Sequence, residues 1–353
     1  MNIGRIVDKG VELGVDGAVS QAVNAYANYS YQWTPVTAGA FTLADINLPA
    51  HHRANAGFDF SRSRYLGNLS VSYTGQAYWQ DVLDAPREQL KLAEAALVIA
   101  REEYPALDIT AYLARIDGMA QTLRDRLRAD IAPMEKLALL TRYMFEELGF
   151  AGNSSDYYDP RNSYLNEVMD RKLGIPITLA VLLIEVGRRL DLPLSGISFP
   201  GHFLVKCALR DGAVIIDPYA KGACLGIKDL QKRLRVLSGG KDITPEAVMR
   251  LLTVARPADI LARMLRNLKA IYSERGESSD HTKALTIVNH VLDLCPQSAD
   301  DHRDRARLHE ELECFRAALA DYEAYLRLQP EARDARAVRE KIAELRGRVS
   351  RLN

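Results

Sequence analysis

The sequence has few cysteines, no excess of either charge and no long hydrophobic run. Its 353 residues include four cysteines, and none of them forms a CxxC pair or another metal-ligand spacing, which favours free thiols in a reducing compartment. Lysine plus arginine equal aspartate plus glutamate at 46 each, so the overall charge points neither to nucleic acid nor to an anionic membrane. No segment is apolar over the roughly 20 residues that a membrane-spanning helix needs. We therefore expect no metal, no cofactor and no nucleic-acid partner.

The most strongly patterned stretch of the chain spans residues 162–219. Apolar residues follow one another from Leu179 to Val186, interrupted by a single glutamate, and predict a helix that is buried on most of its circumference. Two strand patterns follow at 203–208 and 213–216, and the Arg210-Asp211-Gly212 turn between them is typical of a hairpin. This stretch therefore predicts the core of a domain.

His202 enters the first of these strands and Asp217 leaves the second. A buried helix after Gly-Ile, a strand opened by His and a strand that ends in Asp-Pro together resemble the core of the transglutaminase-like, papain-related fold. The runs DYYDPRNSYLNEVMDRKLGIPIT at 156–178 and FPGHFLV at 199–205 resemble the bacterial SirB family, which joins a transglutaminase-like domain to tetratricopeptide repeats. The resemblance covers residues 86–345. It implies an α+β fold, in which a mostly helical papain/transglutaminase-like domain with a small antiparallel sheet precedes helical repeats.

The resemblance places a proline where the superfamily has its nucleophile. In active members a cysteine opens the buried helix, a histidine takes its proton, an aspartate orients the histidine, and the helix dipole lowers the pKa of the thiol. Matching without gaps puts Pro176 at the cysteine position, and His202 and Asp217 at the other two. The expected triad is degenerate. The sequence therefore favours a non-catalytic protein that acts as an interaction or regulatory module.

Thr178 is the alternative nucleophile, because it lies in the same first turn of the helix. The alternative hypothesis is a peptidase, amidase or acyltransferase that uses Thr178 or a water activated by His202. The competing interpretation is that the hydroxyl bonds nearby backbone at the helix start. Cys207 is predicted to face away from His202 by strand alternation and to be a small buried residue. The pair of His202 and Asp217 serves either ligand binding or packing.

A second group of polar residues lies just upstream. Asn162, Asn166 and Asp170 recur every four residues, which predicts one shared helix face, and Tyr157 and Tyr158 precede them. These side chains predict a hydrogen-bonding surface for a peptide or a small polar ligand. The alternative is that Asn162 or the following serine caps the helix, while the others are solvated or hold the preceding loop.

An internal repeat follows the transglutaminase-like domain, which we place at residues 85–255. In residues 256–353, Ala284-Leu285 recurs as Ala318-Leu319, an offset of 34 residues that is the tetratricopeptide period. Two copies are readable, whereas such repeats need about three units to be stable alone, so we expect them to dock on the preceding domain. We expect a protein or peptide partner at the repeat face or at the His202 cleft. The sequence leaves the oligomeric state open.

Residues 1–84 differ from the rest and show β-hairpin patterns, such as residues 54–61 and 69–73 on either side of a turn at 61–64. They resemble a C-terminal fragment of a TonB-dependent outer-membrane receptor barrel, and the plug, most strands and the export signal of such a receptor are missing. The segment is therefore expected to be a gene-fusion relic or the product of a mis-set start, and it either folds or stays disordered. The absence of an apolar signal region predicts a cytoplasmic location. The resemblance implies the outer membrane as the alternative, and membrane association is expected only if this segment inserts.

Overall fold

The computed structural model of the chain describes residues 4–7, 10–20, 22–32, 36–39, 52–62, 65–74, 79, 90–128, 130–210, 212–274 and 280–351. It divides into two compact units, Met1–Ala85 and Pro86–Asn353. None of the helices in these described ranges is both long and apolar enough to cross a membrane.

The first unit consists of antiparallel strands. They are β1 (Gly4–Val7), β2 (Gly10–Ser20), β3 (Val23–Gln32), β4 (Val36–Gly39), β5 (His52–Arg62) and β6 (Tyr65–Thr74). β2, β3, β5 and β6 form one sheet in that order, and β1 pairs with β4. The predicted strands at 54–61 and 69–73 are confirmed within β5 and β6, which pair from Arg53 to Arg62. Two residues of the predicted turn, 63 and 64, lie outside the described residues.

The second unit begins with helices that have the expected end signals. They are α1 (Leu92–Glu103), α2 (Ile109–Arg124), α3 (Pro133–Arg142) and α4 (Leu165–Arg171), with a π-helical turn at Tyr143–Glu147 and a 3-10 turn at Pro160–Asn162. The Asp108 side chain caps α2 by accepting the Ala111 N–H at 3.0 Å. Pro133 occupies the first turn of α3, where its missing N–H leaves no donor unpaired.

The predicted core helix is α5 (Pro176–Arg189), which begins after a short parallel pairing of β7 (Ala151–Gly152) with β8 (Leu173–Gly174). Every residue from Pro176 to Gly187 is buried. Gly187 allows the chain that follows to approach closely, since an added Cβ would lie 2.3 Å from the Leu194 side chain. α5 therefore lies between the other helices and the sheet.

The sheet of this unit is antiparallel, with the strand order β12-β11-β10-β9. Its strands are β9 (Leu194–Ile197), β10 (Leu204–Leu209), β11 (Gly212–Asp217) and β12 (Ala223–Leu225). The predicted hairpin is confirmed, because β10 pairs with β11 from Val205 with Ile216 to Leu209 with Gly212. One residue of its turn, 211, is not among the described residues. Two helices cover one side of the sheet, α6 (Ile227–Leu237) and α7 (Pro245–Arg250).

The last helices carry the predicted repeat. They are α8 (Pro257–Glu274), α9 (His281–Leu294), α10 (Ala299–Glu311), α11 (Phe315–Leu328) and α12 (Ala335–Arg351). α9 and α11 begin and end 34 residues apart, since 315 minus 281 and 328 minus 294 both equal 34. α8 contacts α1 and α5 on one side and α9 on the other. Its Arg266 binds the buried carboxylate of Asp301 in α10 at 2.6 Å. The repeats thus dock on the preceding domain, as expected.

Candidate functional site

His202 and Asp217 meet at the edge of the hairpin. The antiparallel pairing of β10 with β11 sets the beginning of one strand beside the end of the other, so residues 15 positions apart come into contact. The Nε2 atom of His202 lies 2.8 Å from Oδ1 of Asp217. The Asp217 side chain is 1% exposed and that of His202 is 17% exposed. The pair is therefore fixed on its Asp217 side and open on its His202 side.

The Asp217 carboxylate accepts three further hydrogen bonds. Oδ1 also accepts the backbone N–H groups of Tyr219 and Ala220 at 3.0 and 3.2 Å, and Oδ2 accepts Arg233 of α6 at 2.5 Å. Burial alone would raise the pKa of this carboxyl, but the hydrogen bonds and charges of His202 and Arg233 outweigh burial and hold the pKa below its usual value. Asp217 is therefore a carboxylate at neutral pH.

This lowered pKa makes part of the folding stability depend on pH. The pKa of Asp217 in the folded protein lies below its usual value of 3.8. The ionised carboxylate therefore contributes its full share of the free energy of unfolding above pH 3.8, and this share is lost as the pH falls through the folded pKa. We expect wild type to lose more free energy of unfolding than Asp217→Asn between about pH 5 and about pH 3. Urea unfolding at both pH values checks this. Equal losses in the two proteins would contradict it.

The open atom of the pair is Nδ1 of His202. Since Asp217 is ionised and can only accept, Nε2–H donates to it, and Nδ1 offers a lone pair whenever the ring carries a single proton. Nδ1 has no hydrogen bond to any residue in the part of the chain that the structure describes. The site thus presents an oriented acceptor that a donor group of a ligand can reach.

The first turn of α5 holds Pro176 and Thr178, both buried. The Thr178 hydroxyl donates towards the backbone carbonyls of Asn162 and Ile175 at 2.8 and 3.1 Å, and it accepts the Ile175 N–H at 3.2 Å. Its proton is therefore engaged with backbone. This is the local bonding that the sequence left open for Thr178.

Tyrosine rings extend outward from His202. Tyr219 meets the His202 ring edge-on at 6.1 Å, Tyr157 meets Tyr219 at 6.2 Å, and Tyr158 meets Tyr157 at 5.3 Å. Exposure increases along this row, to 41% at Tyr157 and 68% at Tyr158. Burial raises the pKa of the Tyr219 phenol, which donates to the Asn153 carbonyl at 3.1 Å. The predicted Tyr157 and Tyr158 thus border the histidine site, with Tyr219 between them and His202.

Gly152 provides the space in which the Tyr219 ring lies. A Cβ added at Gly152 would lie 2.4 Å from that ring, so Gly152→Ala forces the ring away from its bond to Asn153. We expect a loss of about 1–3 kcal/mol in the free energy of unfolding, measured by urea denaturation. The matched control is Gly118→Ala in α2, where an added Cβ has no heavy atom within 4 Å and a gain of about 0.5–1 kcal/mol is expected. Equal effects of the two substitutions would contradict the close contact.

The prediction that Asn162, Asn166 and Asp170 share one helix face is wrong. Asn162 ends the 3-10 turn, and the extended backbone of Tyr164 separates it from α4. The Asn162 amide donates to the Asp156 carbonyl at 2.7 Å and accepts the Asn153 side chain at 3.1 Å, so Asn162 holds the preceding loop. Asn166 is buried.

Asp170 points towards a different helix. It accepts the phenol of Tyr112 at 2.5 Å and the guanidinium of Arg115 at 2.6 Å, both on α2. Its carboxylate is about half exposed. Asp170 therefore belongs to the contact between α2 and α4, and the single ligand surface predicted from the spacing does not form.

Arg233 and Arg263 are site residues that the sequence analysis missed. Arg263 of α8 donates to the His202 carbonyl at 2.8 Å and to the Ser198 hydroxyl at 2.9 Å. It thereby fixes the turn that carries the histidine. Both arginines lie on helices with many charged residues, and nothing in the sequence distinguishes them from their neighbours. The described residues contain no group of three or more His, Cys, Asp or Glu side chains that could hold a metal ion.

Comparisons with known proteins agree with this architecture. Residues 110–266 match a family model described as the transglutaminase-like superfamily, and residues 268–343 match one described as a tetratricopeptide repeat. The UPF0162 protein of Xylella fastidiosa (strain Temecula1) is 38% identical over 271 residues, which cover 76% of this chain and 94% of that protein. The UPF0162 protein of Pseudomonas aeruginosa is 34% identical over 265 residues, 75% of this chain and 94% of that protein.

A more distant similarity links the chain to a eukaryotic protein. F-box only protein 21 of Mus musculus is 29% identical over 174 residues, which cover 47% of this chain and 26% of that protein. No solved structure matches. The family models confirm the predicted transglutaminase-like and repeat parts, and the relatives support their SirB-like combination. The resemblance of residues 1–84 to TonB-dependent receptors stays a prediction.

Proposed function

Since the chain belongs to the UPF0162 family and has a proline at the first position of α5, we propose that it is a non-catalytic interaction or regulatory protein. Pro176 carries this proposal, because it has no nucleophilic atom where the transglutaminase-like pattern expects the attacking thiol. The nearby Thr178 hydroxyl offers no replacement, since it is fully buried and bonded to backbone carbonyls. The chain keeps an oriented histidine without the group that a histidine base would activate.

In this proposal the pair of His202 and Asp217 binds a ligand group. Asp217 is balanced by Arg233 and holds the His202 ring in one orientation, so the free Nδ1 accepts an N–H or O–H from the ligand. The exposed rings of Tyr157 and Tyr158 supply an apolar surface beside it. Backbone N–H groups and side chains of a peptide satisfy both requirements. The repeats add a second surface of the kind that commonly binds proteins.

A second candidate function is hydrolysis or acyl transfer by a water that His202 activates. The observation that favours it is the same free Nδ1, because a histidine oriented by a carboxylate is also the arrangement of a general base. The two candidates differ in outcome, since only an enzyme releases a product.

The deciding experiment uses the full chain for affinity capture of partners from a native lysate and for product assays. The product assays follow casein cleavage and the incorporation of a fluorescent amine into casein. We expect no product from wild type, together with a captured protein that His202→Ala loses and that a matched His281→Ala variant in α9 retains. A product formed by wild type and abolished by His202→Ala would overturn the non-catalytic proposal. A partner retained by both variants would move the binding surface to the repeats.

A further inference from the structure

A polar cavity of about 360 Å³ lies where the transglutaminase-like domain meets the first helix after it. The end of α1 contributes Glu103 and Tyr104, the loop before α4 contributes Asp156 and Asp159, and α8 contributes Tyr272. Neither His202 nor Asp217 is among its lining residues. Its wall combines three tyrosine rings and three carboxylates with one guanidinium, that of Arg161, and rings and carboxylates are the two kinds of group that attract organic cations.

Three tyrosines form the aromatic part of the wall. Tyr104 and Tyr164 meet edge to face, with 5.6 Å between ring centres and planes at 88°, and the hydroxyls of Tyr164 and Tyr272 lie 3.1 Å apart. Burial raises the pKa of all three phenols, with Glu167 adding to the effect at Tyr104. The phenols therefore stay neutral, and all three tyrosines belong to the wall.

The carboxylates of the wall differ in whether they form ion pairs with arginine or lysine side chains. Asp159 binds Arg161 and Arg171 at 2.9 and 3.1 Å, and Glu103 binds Lys283 at 2.8 Å. The exposed carboxylate of Asp156 binds no side chain among the described residues. Among the described residues, Asp156 is therefore the carboxylate of the wall that no side-chain cation engages, while Asp159 holds the Arg161 guanidinium of the same wall.

Lys283 shows how this wall accommodates an ammonium group. Its Nζ binds Glu103 and lies 5.3 Å from the centre of the Tyr272 ring, so one cation contacts a carboxylate and an aromatic ring together. Asp156 and Tyr104 also line the cavity and bring to it a second pair of a carboxylate and a ring. The second pair has no lysine of its own among the described contacts.

We propose that this cavity binds an alkylammonium group, with Asp156 as its counter-ion and Tyr104 as its aromatic contact. The group comes either from a lysine side chain of a bound protein or from a free amine. Asp156 precedes Tyr157 in the chain, and the Asn162 amide donates to the backbone carbonyls of both residues at 2.7 and 3.3 Å. A chain that inserts a lysine here reaches the exposed tyrosines with its neighbouring residues. The proposal does not depend on the function of His202.

Calorimetric titration of the full chain tests the proposal with three probes: n-butylammonium, the peptide acetyl-Gly-Lys-Gly-amide, and the same peptide with norleucine in place of lysine. We expect saturable binding of the charged probes and none of the norleucine peptide. Asp156→Asn is expected to weaken binding about tenfold. Asp242→Asn is the matched control, because this carboxylate is 90% exposed outside the cavity, and it is expected to leave binding unchanged.

Two further variants separate the contributions of the ring and of its hydroxyl. Tyr104→Phe keeps the π-face and is expected to change affinity less than twofold, whereas Tyr104→Leu is expected to weaken binding about fivefold. Tighter binding of the lysine peptide than of butylammonium identifies a protein lysine as the ligand, and the reverse order identifies a free amine. Equal binding of the norleucine peptide, or no saturable binding of either cation, overturns the proposal. None of these measurements involves His202. Failure of the alkylammonium proposal is therefore distinct from failure of the proposed function.

Discussion

Asp217→Ala is expected to lower the free energy of unfolding by about 3 kcal/mol, the lower end of the range for breaking a buried ion pair. The substitution removes the acceptor for His202, for Arg233 and for two backbone N–H groups in a site where Asp217 is 1% exposed. The lower end applies because the Arg233 side chain is 33% exposed, so water replaces part of the lost contact. Urea denaturation followed by circular dichroism measures the change.

The matched control for this experiment is Asp242→Ala. Asp242 also pairs with an arginine, but its side chain is 90% exposed and the distance is 3.6 Å, so the expected change is below about 0.5 kcal/mol. If Asp217→Ala lowers the free energy of unfolding no more than Asp242→Ala does, the Asp217 carboxylate does not hold the residues around His202 in place. The free Nδ1 of His202 would then have no fixed direction.

Leu182→Ala is expected to cost about 2–5 kcal/mol, because it leaves a cavity in the middle of the core helix. Leu182 is 0% exposed, and its neighbours along α5 are equally buried, so little can move in to fill the space. Leu237→Ala at the end of α6 is the matched control. That leucine is 59% exposed, and its truncation is expected to cost less than about 0.5 kcal/mol. Thermal and urea unfolding of both variants measure these losses. Similar losses for the two variants would show that Leu182 does not lie in the core.

The features that sequence predicted best are those set by periodic patterns. The apolar run from Leu179 to Val186, with Glu185 as its one polar residue, avoids water only inside a core, and α5 is buried along that run. The hairpin followed from two short apolar strands around a turn, and its pairing then brought His202 to Asp217. The 34-residue offset identified the repeats. Each repeat packs against its neighbours in the same way, so the same residue types recur at the same positions.

The features that sequence missed depend on contacts between distant segments. Arg233 and Arg263 reach the site from helices 16 and 61 residues away from their partners, and no local pattern marks an arginine for such a contact. The prediction that Asn162 and Asp170 share a helix face was wrong for a related reason. Neither proline nor glycine marks the break at Ser163-Tyr164, and burial of Tyr164 against Tyr104 and Tyr272 overrides the four-residue spacing.

The position of α8 has a consequence for how this architecture can arise and be divided. The boundary between the two family matches, at residues 266 and 268, falls inside this 18-residue helix. Arg263 of α8 binds the turn that carries His202, and Arg266 binds Asp301 in the repeats. Cleavage at that boundary would divide α8 and separate Arg266 from the buried Asp301, whereas Arg263 and His202 would stay on the same product. The transglutaminase-like and repeat parts therefore share one compact unit, Pro86–Asn353, and one continuous helix, although their sequence families are separate.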